Sequence, residues 1–419
     1  MKLVAEAQEQ QSPTQQLTEK FTRWFVPAVL LLTLLMIFIP PLFFGWTWSA
    51  SFYRGMVLLV AASPCALAIG TPAAVLAGIA QAARRGVLIK GGVHLENLGR
   101  LRVIAFDKTG TITSGKFAIT RIVALDGASE ETVLRFAASV EEQSSHPLAA
   151  AIVQTARDRK IAFPAAVAVE NLAGKGIRAQ VEGSEVLLGA LRAFADDPAA
   201  AKGGSLAQTV SQLEGDGQTT VIVRQGGKFI GVIALADEPR ESSAGIMERL
   251  KALGVSKLVM LTGDNEAVAK RVAATVGLTD VRAALLPENK LTAIRDLERE
   301  HGAIAMVGDG VNDAPALAAA TVGIAMGGAG TAVALETADV ALMGDDLGKL
   351  TFAVGLSRAS RRIIWQNLAI ALGVIALLII GTLTGKVVLS VAVFFHEGST
   401  VLVAMNALRL LAWRESDRN

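Results

Sequence analysis

The chain has 419 residues, 52% apolar, 5% aromatic and 19% charged, and its 40 Lys+Arg nearly balance 38 Asp+Glu. A formal charge of +2 excludes both the basic excess that nucleic-acid binding asks for and the acidic excess of a solvating disordered chain. The single cysteine, Cys65, excludes an intramolecular disulfide framework and a Cys-rich zinc or iron-sulfur cage, and it fits a soluble part in a reducing compartment.

The mean hydropathy of +0.46 is unevenly spread along the chain. Residues 26–44 and 55–83 carry no charge, and each stretch is long enough to cross a hydrocarbon core of about 30 Å at ~1.5 Å per residue. The first follows a polar lead and lacks a small-residue cleavage site, so it reads as a retained span rather than a signal peptide. Within the second, Ser63-Pro64-Cys65 interrupts the helix, because Pro64 cannot donate to the Val60 carbonyl and so frees polar backbone at membrane depth. Taken alone, Cys65 is more readily a small buried hydrophobe; the break around it points to an ion site.

A soluble insert follows, long enough for two domains with their own cores. Its strand-like runs at 103–106, 257–261, 303–307 and 322–326 alternate with helical patterns at 242–253 and 266–276, as in a parallel doubly wound sheet. The stretch 121–236 reads differently, with a helical piece at 130–158 and glycine-punctuated strands at 219–223 and 229–235, and predicts a smaller inserted α+β domain. Three strands run into loops with acidic residues: Asp107-Lys108-Thr109-Gly110-Thr111, Thr262-Gly263-Asp264 and Gly308-Asp309-Gly310-Val311-Asn312-Asp313. They therefore meet at the carboxyl edge of one sheet, where open α/β folds bind ligands. A magnesium-assisted phosphoryl transfer needs such a set: a carboxylate nucleophile, a carboxylate for a hard divalent cation, and a lysine, for which Lys290 is the candidate. Singly, each loop could be a solvated turn; three in order after three strands are not so readily explained. The G-x-x-x-x-G-K run at 110–116 mimics a phosphate loop but continues into Phe117, and the G-x-G-x-x-A run at 174–179 lacks the flanking strand and helix of a dinucleotide site.

Residues 363–384 and 387–408 supply two further spans, the last with His396, Glu397 and Thr400 embedded in it. His396 and Thr400 share a helix face and Glu397 leans toward it, so the three are expected to converge. An intramembrane carboxylate beside an imidazole is costly enough to be a functional candidate, although a helix-packing hydrogen bond would also place it. A thiolate, an imidazole, a carboxylate and hydroxyls together are too hard for Cu(I) and too soft for Ca²⁺ or Mg²⁺, leaving divalent Co, Zn, Ni or Fe. The flanking cations favour the side bearing Lys20, Arg23, Arg84, Arg85, Arg358, Arg361, Arg362, Arg409 and Arg414 over that of Arg54 and Lys386, which predicts cytoplasmic termini and insert.

DKTGT at 107–111 and GDGVNDAP at 308–315 resemble the phosphorylation-domain signatures of P-type ATPases, of the haloacid-dehalogenase superfamily, and the resemblance runs nearly end to end. It implies that Asp107 becomes an aspartyl phosphate and that Asp309, with Asp107 and the Thr109 carbonyl, holds Mg²⁺. Thr262 and Lys290 would contact the phosphoryl group, Asn312 and Asp313 complete that shell, and Lys108, Gly263 and Asp264 belong to the same motifs. Glu141, His146-Pro147, Gly174 and Gly176 are similar to the ATP-binding domain of the metal-transporting branch; His146 alone would more simply be a helix-start residue. Ala190 stands where the family often has Asn. SPC with HEGST resembles the subgroup marked by SPC and HEGGT, associated with cobalt and zinc export, with Ser399 in place of a glycine. The ligands implied for the transported Co²⁺ or Zn²⁺ are Ser63, Cys65, His396, Glu397 and Thr400.

The expected organisation is a linker at 1–20, two membrane helices at 21–84, a discontinuous phosphorylation domain at 85–120 and 237–352, the nucleotide domain at 121–236, two membrane helices at 353–413 and a tail at 414–419. The cell membrane is the expected location and lipid the expected surroundings, with no nucleic-acid partner. Family members carry a TGE-bearing actuator domain; TGE does not occur here, and residues 3–8 look like the linker that follows it, so residue 1 is expected to fall midway through a typical member, with the actuator portion missing or separate. Three readings stand: the catalytic and metal-site portion of a transition-metal exporter, a membrane-anchored phosphatase of the same superfamily, or a non-cycling metal-binding or regulatory remnant.

Overall fold

The computed structural model describes residues 12–144, 146–172, 176–195, 197, 200–201, 204–264, 266–309, 313–327 and 336–415. Among them, four helical segments are long and apolar enough to cross a membrane: Pro13–Phe43, Trp48–Arg84, Lys349–Leu383 and Leu389–Ala412. The first opens on a capping box, in which Ser12 Oγ accepts from the Gln15 amide and Gln15 Oε1 from the Ser12 amide. The second is broken where Pro64 predicts. Helix Trp48–Ala61 stops, the Ser63 amide turns back to the Val60 carbonyl at 3.2 Å, and helix Cys65–Arg84 restarts with Cys65 as its first residue.

The soluble portion is built on a seven-stranded sheet in the order Val87–Ile89, Val340–Met343, Val322–Gly327, Ile304–Gly308, Val103–Asp107, Lys257–Leu261, Asp280–Arg282. Every pairing is parallel except that of Val87–Ile89. Val103–Asp107 lies in the interior of the sheet and is buried on both faces, which is why it reads as a continuous apolar run. Ile104 and Phe106 pack toward Leu98, Ile246 and Leu350, whereas Val103 and Ala105 pack toward Ile294, Leu297 and Leu317. The three-residue strands at Val87 and Asp280, and helix Gly92–Leu98, are too short to leave a periodic signal in the sequence.

Between Thr113 and Pro239 the chain forms a separate six-stranded antiparallel sheet in the order Thr113–Ala124, Lys228–Pro239, Thr219–Gln225, Ser184–Gly189, Gly176–Val181, Val167–Leu172. Helices Glu130–Glu141 and Pro147–Asp158 cover one face and Ser205–Gly215 the other. The insert is thus wider than the expected 121–236, because its two longest strands run straight out of the DKTGT loop and back to it. The helical piece expected at 130–158 is two helices, divided at His146-Pro147. Thr113–Ala124 is a strand where a phosphate loop would need a helix, and Gly176–Val181 is antiparallel, so neither glycine-rich decoy has its fold context.

The sheet is tied to the membrane helices through Gly92–Leu98. Glu96, 2% exposed, accepts from the Thr14 amide (3.1 Å), Thr14 Oγ1 (2.7 Å) and Arg100 Nη2 (2.6 Å), which joins the start of the first helix to the sheet domain.

Candidate functional site

Parallel pairing places Asp107 opposite Leu261 and Phe106 opposite Val307, so the loops after all three strands leave the sheet at one edge. Lys290, in the first turn of helix Pro287–His301, reaches into that edge. Its Nζ donates to Asp107 Oδ1 at 2.5 Å and to Asp313 Oδ1 at 2.7 Å. All three groups are buried. Gly308 makes room for this fold-back: a Cβ there would lie 2.8 Å from Asp313 Oδ2. The loop turns at Gly110, with φ +73°, and a Cβ on it would come within 3.5 Å of Asp309 Oδ2.

Burial, reinforced by Asp313 and opposed by Lys290, pushes the Asp107 carboxyl up to about 7. Burial likewise raises Asp313, against the pull of Lys290. For Lys290, burial disfavours the charge, but Asp107 and Asp313 outweigh it and the ammonium is held more firmly than usual. The edge therefore carries more carboxylate than it can neutralise by itself. Asp107 and Asp309 are hard-oxygen donors close enough to act on one another, and Mg²⁺ ordinarily takes one or two carboxylates and leaves its other positions to water and phosphate. The donor chemistry fits that ion. Among the described residues no three His, Cys, Asp or Glu side chains form a closed metal cage.

Lys108 pairs with Asp264 at 2.5 Å, and the buried Thr262 accepts the Asp264 amide on its hydroxyl at 3.2 Å, so the TGD loop is bound to the DKTGT loop. Gly263 lies over the Leu285 carbonyl, where a Cβ would be 3.3 Å away. Asn312 lies outside the described residues.

Two residues that sequence reasoning missed fix this loop. Arg240 donates from Nε to the Thr111 and Thr113 carbonyls (3.1 and 3.2 Å), and from Nη2 to the Gly110 carbonyl (3.2 Å) and both carboxylate oxygens of Asp345 (2.9 Å each). Asp237 accepts from Thr113 Oγ1 at 2.5 Å, and burial raises its pKa despite that bond. The available signal was the acidic pair Asp237-Glu238 ending the apolar run of Lys228–Pro239, followed at once by Pro239 and Arg240.

A cleft of about 590 Å³ opens between the two sheets, lined by Lys108, Asp237, Arg240 and Asp264 at one end and by Ala190, Thr219 and Thr220 at the other. Those last three residues also line a cavity of about 390 Å³ inside the insert, which holds Glu141, His146, Gly176 and Leu188. The two spaces thus share a wall. His146 caps helix Pro147–Asp158, its Nδ1 accepting the Leu148 amide at 3.2 Å, so the helix-start role and a place in the cavity coexist. Burial raises the Glu141 carboxyl, partly offset by a hydrogen bond from Ser144. Gly176 has φ +132°, and a Cβ there would fall 1.9 Å from the Leu188 carbonyl oxygen. Gly174 lies outside the described residues. Ala190 adds only a methyl group to the shared wall.

In the membrane portion, Ser63 Oγ and Cys65 Sγ are 3.1 Å apart at the helix break. His396 is 4% exposed, whereas the Glu397 side chain is 67% exposed, with its Oε1 3.9 Å from His396 Nε2. The expected convergence is therefore incomplete: neighbours on a helix point about 100° apart, and here the imidazole turns inward and the carboxylate outward. Thr400 and Ser399 both donate to the His396 carbonyl, at 3.2 and 2.7 Å, so the hydroxyl added by Ser399 serves its own helix.

The sequence model of the haloacid dehalogenase-like hydrolases matches residues 101–321. A probable cadmium-transporting ATPase of Staphylococcus aureus (strain MRSA252) is 43% identical, over 98% of this chain and 57% of its own length. A zinc/cadmium/lead-transporting P-type ATPase of Escherichia coli (strain K12) is 46% identical, over 99% of this chain and 55% of its own. Among solved structures, the crystal structure of a zinc-transporting PIB-type ATPase in its E2.Pi state superposes with a TM-score of 0.83 at 46% identity, covering 98% of this chain and 66% of that one. The chain thus spans about half to two thirds of the proteins it is similar to.

Proposed function

The chain belongs to the haloacid dehalogenase-like hydrolases, and from that premise we propose that it is the catalytic and metal-site portion of an ATP-driven exporter of a divalent transition-metal ion, working through an aspartyl phosphate. The observation that carries the proposal is the buried Lys290 ammonium between Asp107 and Asp313, with Lys108, the residue after Asp107, lining a cleft whose far wall belongs to the insert.

ATP lies with its base in the cavity of Glu141, His146 and Gly176 and its phosphates along the cleft toward Lys108 and Asp264. An Asp107 carboxylate oxygen attacks the γ-phosphorus, the bond to the bridging oxygen breaks, and ADP leaves with that electron pair. Lys290 offsets the negative charge of the transferring group, and Thr262 holds the TGD loop against it. Asp107, Asp309 and the Thr109 carbonyl would hold Mg²⁺, which when bound would neutralise charge at the phosphoryl oxygens. Arg240 and Asp237 keep the DKTGT loop in place between the sheet edge and the insert. Turnover also needs a group that delivers water to the aspartyl phosphate, a role the resemblance assigns to an actuator domain, in the same polypeptide or a separate one.

The transported ion binds at the helix break, with Ser63, Cys65, His396, Thr400 and, after rotation, Glu397 as its donors. A thiolate with an imidazole selects Zn²⁺ or Co²⁺, and the names of the relatives add Cd²⁺ and Pb²⁺ to the ions worth testing. The insert and both termini are cytoplasmic in this arrangement. The test is phosphorylation of the purified chain with radiolabelled ATP: hydroxylamine-sensitive label that rises with Zn²⁺, Co²⁺ or Cd²⁺ and vanishes in Asp107→Asn supports the proposal. Undiminished label in Asp107→Asn overturns it.

A further inference from the structure

Three of the four candidate spans meet at one buried amide. Asn367, in helix Lys349–Leu383, is 2% exposed. Its Nδ2 donates to the Gly70 carbonyl of helix Cys65–Arg84 at 3.3 Å, and its Oδ1 accepts from Asn406 Nδ2 of helix Leu389–Leu408 at 2.8 Å. Asn406 is held in turn, its Oδ1 accepting from Arg409 Nη1 at 2.9 Å. The direction of this chain is fixed at both ends, since a carbonyl can only accept and a guanidinium can only donate. Both amides are therefore oriented without ambiguity.

The two helices that Asn367 joins are those that carry the ion-site residues. Gly70 follows Cys65 within two turns, and Asn406 follows Thr400 within two turns. Gly70 also lets the helices approach: a Cβ there would lie 2.6 Å from Val403 Cγ1 and 3.4 Å from Asn367 Cβ. Apolar contacts between helices tolerate sliding, because one set of methyl contacts replaces another. A hydrogen bond does not: it is lost by a donor–acceptor separation of about 3.6 Å, and hydrocarbon offers no replacement partner.

We propose that Asn367 is a positioning residue for the transported ion. It fixes the axial register of the helix that begins at Cys65 against the helix that carries His396 and Thr400, and so sets the affinity of the site for a divalent transition-metal ion. The inference rests on the reading of Cys65 and His396 as that site.

The test is a Co²⁺ titration of the whole chain in detergent, followed by the thiolate-to-cobalt absorption band, with nucleotide binding measured on the same samples. Asn367→Leu, of similar volume, and Asn406→Ser each weaken Co²⁺ binding at least tenfold and leave nucleotide affinity unchanged. Asn367→Asp keeps the acceptor for Asn406 and loses the donor to Gly70, and it falls between Asn367→Leu and the unaltered chain. If Asn367→Leu does not fold, Asn406→Ser carries the comparison alone. Co²⁺ affinity within threefold of the unaltered chain in the variants overturns the inference. So does a parallel loss of Co²⁺ and nucleotide affinity, which marks a scaffold residue. An unaltered chain that shows no thiolate-to-cobalt band overturns the ion-site reading itself, and this inference with it.

Discussion

Lys290 Nζ lies 2.5 Å from Asp107 Oδ1 and 2.7 Å from Asp313 Oδ1, so one ammonium holds two buried carboxylates together. Replacing it with methionine keeps most of the volume and leaves both acids without their cation. Breaking a buried pair in this way costs about 3–5 kcal/mol, chiefly the desolvation of the charge left behind. Lys290→Met is therefore expected to lower the thermal midpoint of the detergent-solubilised chain and to reduce the phosphoenzyme formed from ATP below detection. Adding Asp313→Asn to Lys290→Met should recover much of the stability and none of the phosphorylation. Recovery of both would show that Lys290 acts on folding alone.

Arg240 makes its contacts with carbonyls of the DKTGT loop and with Asp345, and none with the groups proposed to react. A lysine in its place keeps the charge but loses the planar fork that reaches several carbonyls at once. Arg240→Lys is expected to slow phosphoenzyme formation by about tenfold or more, equivalent to ~1.4 kcal/mol of barrier, with nucleotide affinity unchanged. Rapid-quench phosphorylation beside equilibrium nucleotide binding separates the two effects. A change confined to nucleotide affinity would place Arg240 in ligand binding.

The sheet edge was legible because its chemistry is local in the chain: each acidic loop directly follows a buried strand, and alternation with helices fixes the strands as parallel. The break at Pro64 was legible for a similar reason, since a missing N–H acts on a carbonyl within the same turn. Arg240 was not, because its partners Gly110, Thr111 and Asp345 are distant in sequence and only the return of strand Lys228–Pro239 brings them together. The outward turn of Glu397 was equally hidden. Residues 394–408 are apolar or small on nearly every side, so periodicity could not tell which face meets the other helices.

Glu141 gives a pH-dependent prediction. Burial raises its pKa above the ordinary 4.5, so the folded chain holds this proton to a higher pH than the unfolded chain does. Its contribution to stability therefore worsens as pH rises from about 4.5 to the raised value and stays constant above it. Glutamine carries no such penalty. Glu141→Gln is expected to raise the thermal midpoint of the nucleotide-free chain at pH 8 and to leave it unchanged near pH 4, while weakening ATP binding if the carboxylate accepts from the base. Equal midpoints at pH 8 would show that burying the Glu141 carboxylate carries no cost to stability.

Gly176 tests the cavity wall from the other side. A methyl group there would overlap the Leu188 carbonyl oxygen, 1.9 Å away, at a φ of +132° that side chains rarely adopt. The strands Gly176–Val181 and Ser184–Gly189 must part to admit it. Gly176→Ala is expected to cost about 2–4 kcal/mol, at the upper end of single-substitution effects, and to reduce nucleotide affinity at least tenfold. Hydrogen exchange should show the loss confined to the insert. Exchange that rises equally in the seven-stranded sheet would contradict the independence of the two cores.

The membrane site yields a ranking. Cys65 stands at the helix break beside Ser63, and His396 is buried, but the Glu397 carboxylate is exposed and would have to rotate inward to serve the proposed site. A soft or borderline cation gains most from the thiolate and the imidazole. Cys65→Ala and His396→Ala are each expected to weaken Zn²⁺ or Cd²⁺ binding by about a hundredfold, or ~2.7 kcal/mol, and Glu397→Gln by no more than about tenfold. Cys65→Ser should discriminate between ions, because a hydroxyl retains more affinity for Zn²⁺ than for the softer Cd²⁺. Competition titrations with a chelator of known affinity measure all four variants on one scale. A loss in Glu397→Gln equal to that in His396→Ala would mean that turning the exposed carboxylate inward costs the bound state little, and would overturn the ranking.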